Sequence, residues 1–146
     1  MLVAVLFQPI SGFGVELTPN LSEKQVQRTL SPAARKAFFK IADAWRIRDE
    51  QARLLLGGIS NGAFYQMKAG GTRTPLDQDR LMRISLLLGI FKSLNTLYSA
   101  KLADAWISQP NSNPVFGGET PLAYMIRGGQ PAMMRVRQLL DARSAE

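Results

Sequence analysis

The chain has 146 residues, 46% of them hydrophobic, which is enough for one ordinary domain, or two very small ones that share a core. It contains no cysteine and no histidine, which excludes disulfides, thiolate metal sites, cysteine nucleophiles and a Ser-His-Asp triad and argues against an enzyme. The net charge is +7, and residues 32–99 carry eleven Lys/Arg against five Asp/Glu. This basic middle segment favours a polyanionic partner, most simply nucleic acid, over the alternative that the charge only maintains solubility.

Residues 1–30 are predicted to form an N-terminal arm. Its apolar start, Met1 to Phe7, has no basic residues, and it is far shorter than the ~20 residues that a membrane span needs. We therefore expect no signal peptide, no membrane partner and a cytoplasmic location, which the absence of cysteine also suits.

Three short helices are predicted in the first half of the chain. Ser31 as N-cap and Pro32 at the first helical position indicate where the first helix begins. Its buried stripe is predicted by apolar residues at i, i+3, i+4 and i+7: Phe38, Ile41, Ala42 and Trp45. The second helix spans 49–56, with Asp49 as its cap and Gly57-Gly58 as its stop. The third spans 61–68, with Ser60 as its cap.

A long helix is predicted from Leu76 to about Ser99, with one apolar face that includes Leu81, Ile84 and Leu88. Beyond a short helix at 102–107, the prolines and glycines of 110–118 predict a rigid loop. A short helix at 121–126, a turn at Gly128-Gly129 and a last helix at 131–142 complete the chain. Because no convincing run alternates with period two outside the first few residues, the predicted fold class is all-α.

The second and third helices, joined by a glycine-containing turn, have the form of a helix-turn-helix, although the turn is one residue longer than usual. Phe64 and Met67 are predicted to face the core. Asn and Gln side chains can bond adenine edges, and Lys and Arg can contact phosphates. The candidate DNA-contacting residues are Ser60, Asn61, Tyr65, Gln66, Lys68, Thr72 and Arg73. The alternative is an ordinary helical bundle.

The stretch Asn111-Ser-Asn-Pro-Val-Phe-Gly-Gly118, with the segments around it, is far from generic. Together with the predicted helix over 76–94, it resembles the Xre/MbcA/ParS family of antitoxins, and the resemblance covers about 33–143. It implies an N-terminal helix-turn-helix that binds the promoter of its own operon. It also implies a C-terminal domain that covers the NAD pocket of a RES-domain toxin, which consumes NAD or transfers ADP-ribose from it. The NAD chemistry would belong to the toxin, so no cofactor and no metal are expected in this chain.

The candidate toxin-binding residues follow from this resemblance and from their chemistry. Prolines lower the entropic cost of presenting a loop, glycines allow close backbone approach, and the arginines are expected to be exposed to solvent. The set is Asn113, Pro114, Phe116, Gly117, Gly118, Arg127, Arg135, Arg137 and Arg143. The alternative is that Phe116 belongs to a small core with Leu122, Met125, Val136 and Leu139.

The sequence thus predicts an arm at 1–30, a helix-turn-helix domain with a connecting helix at 31–99, and a toxin-binding domain at 100–146. The predicted function is a type II antitoxin that neutralises a RES-domain toxin and represses its own operon, acting as a homodimer. The alternative is a stand-alone transcription regulator whose C-terminal domain dimerises or binds another partner. An enzyme is disfavoured because the C-terminal carboxylates Asp104, Glu119 and Asp141 are too scattered in the sequence to suggest a dyad.

Overall fold

The computed structural model describes residues 19–145, which are helical with irregular connections and contain no strand. The all-α prediction is therefore confirmed. The helices are α1 (Lys24–Trp45), α2 (Asp49–Leu55), α3 (Asn61–Lys68), α4 (Gln78–Leu97), α5 (Ala100–Trp106) and α6 (Pro121–Ser144), with a 3₁₀ turn at Pro114–Phe116. The predicted apolar start of the arm lies outside the described residues.

Helix α1 begins at Lys24, eight residues before Pro32, which the sequence predicted as its first residue. The predicted stripe is buried, but it extends further back, since Leu21, Leu30 and Ala34 are buried as well. The buried Gln27 side chain donates a hydrogen bond to the Leu21 carbonyl at 2.8 Å, which holds the segment before α1 against the helix. Burial of this extra apolar surface outweighs the local start signal, so residues 24–30 are helical and do not belong to an arm.

Ser31 and Pro32 therefore lie inside α1 and have another role. The Ser31 hydroxyl donates to the Gln27 carbonyl one turn earlier and accepts a hydrogen bond from the Leu76 backbone N–H at 2.7 Å. Pro32 is exposed and has no N–H to donate. Ser31 thus joins the middle of α1 to the loop that precedes α4.

Helices α2 and α3 closely match the prediction. Gly57 and Gly58, with φ of +90° and +77°, follow the end of α2, and the Ser60 hydroxyl accepts a hydrogen bond from the Ala63 N–H at the start of α3. The predicted cap at Asp49 is wrong, because the N-cap of α2 is Arg48, whose backbone N–H donates to the Gln51 side chain at 2.9 Å.

Helix α4 lies at the centre of the molecule. Asp77 caps it by accepting from the Arg80 N–H at 2.9 Å, and the helix packs against α1, α5 and α6. The sequence predicted one buried face, whereas every residue from Ile84 to Ile90 is buried. A helix enclosed by neighbours needs apolar or small residues on all sides, so its sequence shows no clear one-sided pattern.

A polar junction connects α2, α4 and α6. The Arg83 guanidinium donates to Asp79 at 2.9 Å and to the carbonyl of Leu55, at the end of α2, at 3.4 Å. From α6, the Gln130 side-chain amide donates to the other oxygen of the Asp79 carboxylate at 2.5 Å. These hydrogen bonds on one side of α4 therefore connect it to the end of α2 and to the middle of α6.

Helix α6 is interrupted where the sequence predicted a turn. Gly129 has φ of +66° and ψ of −149°, outside the helical range, and divides α6 into a shorter first segment and a longer second one. Thr120 caps the first segment by accepting from the Ala123 N–H at 3.1 Å. The apolar residues of both segments join one core with α1, α4 and α5. Among residues 19–145, no helix has the length and apolar character required to cross a membrane.

Candidate functional surfaces

The outer face of α3 carries the polar residues that the sequence assigned to DNA. Phe64 and Met67 point into the core, as predicted, and Phe64 contacts the ring of Phe39 on α1 edge to face. Asn61, Tyr65 and Gln66 are exposed on the opposite side, and 54% of Tyr65 is accessible to solvent. The structure therefore brings these three side chains together on one face, which Ser60 precedes as the N-cap.

Lys68, at the end of α3, has a partner that its position in the sequence does not indicate. Its ammonium lies 2.6 Å from the carboxylate of Asp49, the first residue of α2. This hydrogen bond raises the pKa of Lys68, with smaller contributions from the charges of Asp49, Asp43 and Tyr65. Both side chains remain well exposed, so the pair is accessible to a competing anion.

The loop after α3 is held from α1. The Arg35 guanidinium donates to the Thr74 carbonyl at 2.9 Å, and partial burial lowers the pKa of Arg35. Within the loop, the Thr72 hydroxyl accepts from the Thr74 N–H at 3.2 Å, whereas Arg73 is exposed. Thr72 therefore shapes the loop, and the Arg73 side chain lies on the surface beside α3.

Part of α1 also belongs to this surface, which the predicted set omitted. Arg35, Lys36 and Lys40 border a groove whose other side is formed by Met67, Lys68 and Thr72. The sequence did not indicate a role for these α1 cations, because their proximity to α3 arises only in the folded chain. The sequence does show that all three cations lie on the polar side of one amphipathic helix.

The loop at 111–118 is built largely by its own side chains. The Asn113 carboxamide oxygen accepts from the Val115 N–H at 3.0 Å, and the Asn111 side chain accepts from the Asn113 N–H at 2.9 Å. Pro114, Gly117 and Gly118 are exposed, and both glycines have positive φ. Asn113 therefore fixes the turn, and Pro114, Gly117 and Gly118 lie on its outer surface together with the exposed Ser112.

Phe116 lies inside the molecule and is fully buried. Its ring packs edge to face against Trp106 of α5 and Tyr124 of α6, with centroids 5.9 Å and 5.3 Å away. Leu122, Met125 and Val136 are buried in the same core, and Leu139 packs against it. The structure thus supports the core alternative for Phe116 and contradicts its assignment to a contact surface.

Arg127 is exposed, as expected, and is held in place by two neighbours. Its guanidinium donates to the Glu119 carboxylate at 2.6 Å and lies 5.7 Å from the centre of the Tyr124 ring. The hydrogen bond to Glu119 raises the pKa of Arg127. Arg127 thus presents an ordered cation next to the 111–118 loop.

The other three arginines of the predicted set differ in their surroundings. Arg135 is exposed and forms no ion pair with any residue in 19–145. Arg137 is half-buried against Gly89 of α4 and lies 3.7 Å from Asp141. Arg143 is half-buried and contacts the hydroxyl of Tyr98 at 3.3 Å. The expectation of solvent exposure therefore fails in part, because Arg137 lies against α4 and Arg143 lies against Tyr98 at its end.

The second segment of α6 has an exposed face with one large apolar side chain. Pro131, Met134, Arg135 and Gln138 are exposed at i, i+3, i+4 and i+7, which places them on one side of the helix. Met134 is 46% exposed and Leu102 of α5 is 61% exposed. Apart from Tyr65 on α3, these are the only large hydrophobic residues classed as exposed in 19–145. We call Pro131, Met134, Arg135 and Gln138 the α6 face.

Comparison with known proteins gives this geometry a family context. Residues 93–145 match the family described as the antitoxin Xre/MbcA/ParS C-terminal toxin-binding domain. The chain is also 41% identical over 113 residues to a protein of Sinorhizobium fredii (strain NBRC 101917 / NGR234) described as uncharacterized protein y4oB, and the alignment covers 76% of this chain and 84% of that one. No solved structure matches the chain. The chain therefore belongs to one family with y4oB, and its residues 93–145 are similar to the Xre/MbcA/ParS toxin-binding domain.

Proposed function

We propose that this protein is the antitoxin of a type II toxin–antitoxin system, in which the C-terminal part binds and blocks a RES-domain toxin and the α2–α3 pair binds the operon's DNA. The observation that carries the proposal is the match of residues 93–145 to an antitoxin toxin-binding domain. A toxin partner follows from that match, whereas the RES domain, its NAD chemistry and the repression of the operon rest on the family resemblance.

The exposed surface of the C-terminal part supports a protein partner. Phe116, Met125, Met133, Val136 and Leu140 are all fully buried, so they complete the protein's own core. Protein interfaces commonly use an exposed apolar or aromatic side chain, or an Arg, as an anchor. Met134 and Arg135 on the α6 face meet this requirement. Arg127 adds an ordered charge whose partner Glu119 would limit rearrangement on binding.

The 111–118 loop is the second candidate contact with the toxin. Pro114, Gly117 and Gly118 lie on its exterior, and a Cβ placed at either glycine would meet nothing within 4 Å. Because Asn113 and the buried Phe116 fix the loop from inside, little conformational entropy would be lost on binding. Such a loop is suited to blocking the entrance of an NAD pocket, which is the mechanism that the resemblance implies.

The DNA-binding part of the proposal rests on α3. Its outer face presents Asn61, Tyr65 and Gln66, and amide side chains can form paired hydrogen bonds with adenine. The exposed Arg73 follows in the loop and would contact phosphate. We propose the arrangement of α2, the turn at 56–60 and α3 as the helix-turn-helix, with a homodimer reading two half-sites.

A crossed pair of variants tests the two activities in the full-length protein. The chain is co-expressed with the product of the neighbouring gene, which the proposal expects to be a RES-domain toxin, and growth, cellular NAD and co-purification are measured. Met134→Glu should abolish rescue and co-purification but retain binding to the upstream DNA, because it places a charge at a desolvated contact. Tyr65→Ala should alter DNA binding and retain rescue.

Each variant also controls for folding, because it should retain the activity that the other variant loses. If the wild-type protein neither binds nor neutralises this toxin, the antitoxin proposal fails. If Met134→Glu still rescues growth fully, the α6 face is not the interface, and variants of the 111–118 loop then locate it. Stable binding to upstream DNA without any co-purifying toxin would favour the alternative function, a stand-alone transcription regulator.

A further inference from the structure

A basic groove runs between α1 and the end of α3, and it adds residues of α1 to Lys68 and Thr72, which the sequence already assigned to DNA. Arg35, Lys36 and Lys40 form one wall, and Lys68 lies on the other. Phe39 and Met67 also line the groove, and Phe39 is fixed by its ring contact with the buried Phe64 at 5.5 Å between centroids. We call this feature the α1–α3 groove.

The charge of the groove is only partly balanced within the protein. Lys68 is paired with Asp49, and Asp43 is the only carboxylate that lines the groove. Lys36 and Lys40 are exposed and form no ion pair with any residue in the described range of 19–145. Two like charges at i and i+4 on a helix repel each other, so an anion bound between α1 and α3 would relieve this repulsion.

Arg35 supplies a fixed cation at the same place. Its bond to the Thr74 carbonyl orders the guanidinium and ties the wall of the groove to the loop that carries Thr72 and Arg73. The groove is therefore continuous with the proposed DNA-contacting surface. It also has a rigid floor and an ordered positive charge before any ligand arrives.

The dimensions of packed helices and of duplex DNA favour a phosphate backbone as the occupant. The major groove of B-DNA is about 12 Å wide, so the phosphates at its edge lie about 6 Å from the axis of a helix inserted along its centre. The axes of packed helices are about 8–10 Å apart, so long basic side chains on a helix packed beside α3 can reach phosphates at that distance. α1 is such a neighbour, since it contacts α3 directly.

We propose that the α1–α3 groove holds the sugar–phosphate backbone of one DNA strand, with Lys36 and Lys40 as phosphate contacts, while the outer face of α3 meets the base edges. This inference rests on the proposed DNA-binding function and extends it to a second helix. Phosphate contacts carry no direct sequence information, so the groove supplies affinity and orientation, and α3 supplies the choice of sequence.

The test measures the salt dependence of DNA binding by Lys36→Gln/Lys40→Gln in the full-length chain. The probes are a duplex taken from upstream of the gene and an unrelated duplex of equal length, and binding is followed by fluorescence anisotropy. Each phosphate contact contributes about 0.9 to the slope of log K against log salt. Loss of two contacts should therefore lower the slope by about 1.8, so that between 50 and 200 mM salt the wild-type affinity falls roughly twelvefold more than that of the variant. The preference for the upstream duplex should not change.

The matched control is Lys92→Gln/Lys101→Gln, which removes two exposed charges from α4 and α5, neither of which lines the groove. Its salt slope should equal that of the wild type. If the groove variant has the same slope as this control, the groove does not hold phosphates, although α3 still binds DNA. If the wild type binds neither duplex, the DNA-binding function and the groove both fail. Stronger binding of a single-stranded RNA of equal length, lost in the groove variant, would also overturn the proposal for duplex DNA.

Discussion

The guanidinium of Arg137 on α6 lies against Gly89 on α4, in space that any larger residue at position 89 would occupy. A Cβ at Gly89 would come within 2.6 Å of the Arg137 Nε and 2.7 Å of its Cζ. Arg137 also lies 3.7 Å from Asp141, which accepts a hydrogen bond from Ser93 of α4. Packing of α6 against α4 thus depends on a glycine opposite an arginine.

This relationship predicts non-additive effects on stability. Gly89→Ala gains about 1 kcal/mol of helix propensity, but in the wild-type background the arginine must move, which offsets or reverses the gain. In an Arg137→Ala background the gain should appear in full. Urea denaturation of the two single variants and the double variant should give a coupling of about 0.5 kcal/mol or more. Additivity within about 0.3 kcal/mol would contradict the contact.

Gly128→Ala should destabilise the protein at the interruption of α6. A Cβ there would lie 2.5 Å from the Cβ of Ala132, which is buried and has no flexible atoms to move aside. Overpacking of this kind costs about 1–3 kcal/mol. Thermal and urea denaturation measure the loss. Gly62→Ala serves as the control, because nothing lies within 4 Å of its Cβ, and it should not lower stability.

Phe116→Ala should cost about 3–5 kcal/mol of unfolding free energy, since it empties a fully buried site between two aromatic rings. Phe116→Leu should cost less and should retain toxin binding at a temperature where the variant is folded. Circular dichroism and a pull-down with the toxin distinguish the two effects. A folded Phe116→Leu variant that fails to bind would show a direct contact with the toxin.

Asp49→Asn should remove the ion pair between Asp49 and Lys68. The folded-state pKa of Lys68 is raised above its unfolded value, so the stabilisation by the pair is complete below the unfolded pKa and is lost as pH rises through the folded pKa. In Asp49→Asn, this loss of stability at high pH should disappear. NMR titration of the Lys68 side chain should then give a lower pKa than in the wild type. An unchanged pKa would argue that the pair does not persist in solution.

Ser31→Ala should leave the Leu76 backbone N–H without its partner. The bond is buried and 2.7 Å long, and an unsatisfied buried donor costs about 1–3 kcal/mol. Hydrogen exchange at Leu76 should accelerate together with the loss in urea stability. Ser22→Ala, at an exposed hydroxyl, is the matched control and should change stability little.

The sequence predicted most helices because their signals are local. Ser60 and the two glycines before it mark the α2–α3 turn with little influence from distant residues. The start of α1 was misplaced because Ser31 and Pro32 give a strong local start signal, whereas burial of Leu30 and the hydrogen bond of Gln27 to Leu21 depend on tertiary packing.

The functional surfaces were predictable only in part for the same reason. Exposure of Asn61, Tyr65 and Gln66 follows from helical periodicity once Phe64 faces the core. The contacts of Arg137 with Gly89 and of Arg143 with Tyr98 join positions far apart in sequence, so composition and spacing could not show them. Whether Phe116 was core or contact depended on rings at positions 106 and 124, which only the folded chain brings together.

The enclosure of α4 has a practical consequence for chimeric proteins. Residues 84–90 of this helix are buried on every side, and its neighbours come from both ends of the chain. Consider a hybrid that joins the N-terminal part of this protein to the C-terminal part of a relative near Ser99. In such a hybrid, α4 of this protein would pack against helices of the relative that did not evolve with it. Exchange of partner specificity should therefore succeed through grafted surface residues of α3 or α6, and transplantation of whole segments would require redesign of α4 as well.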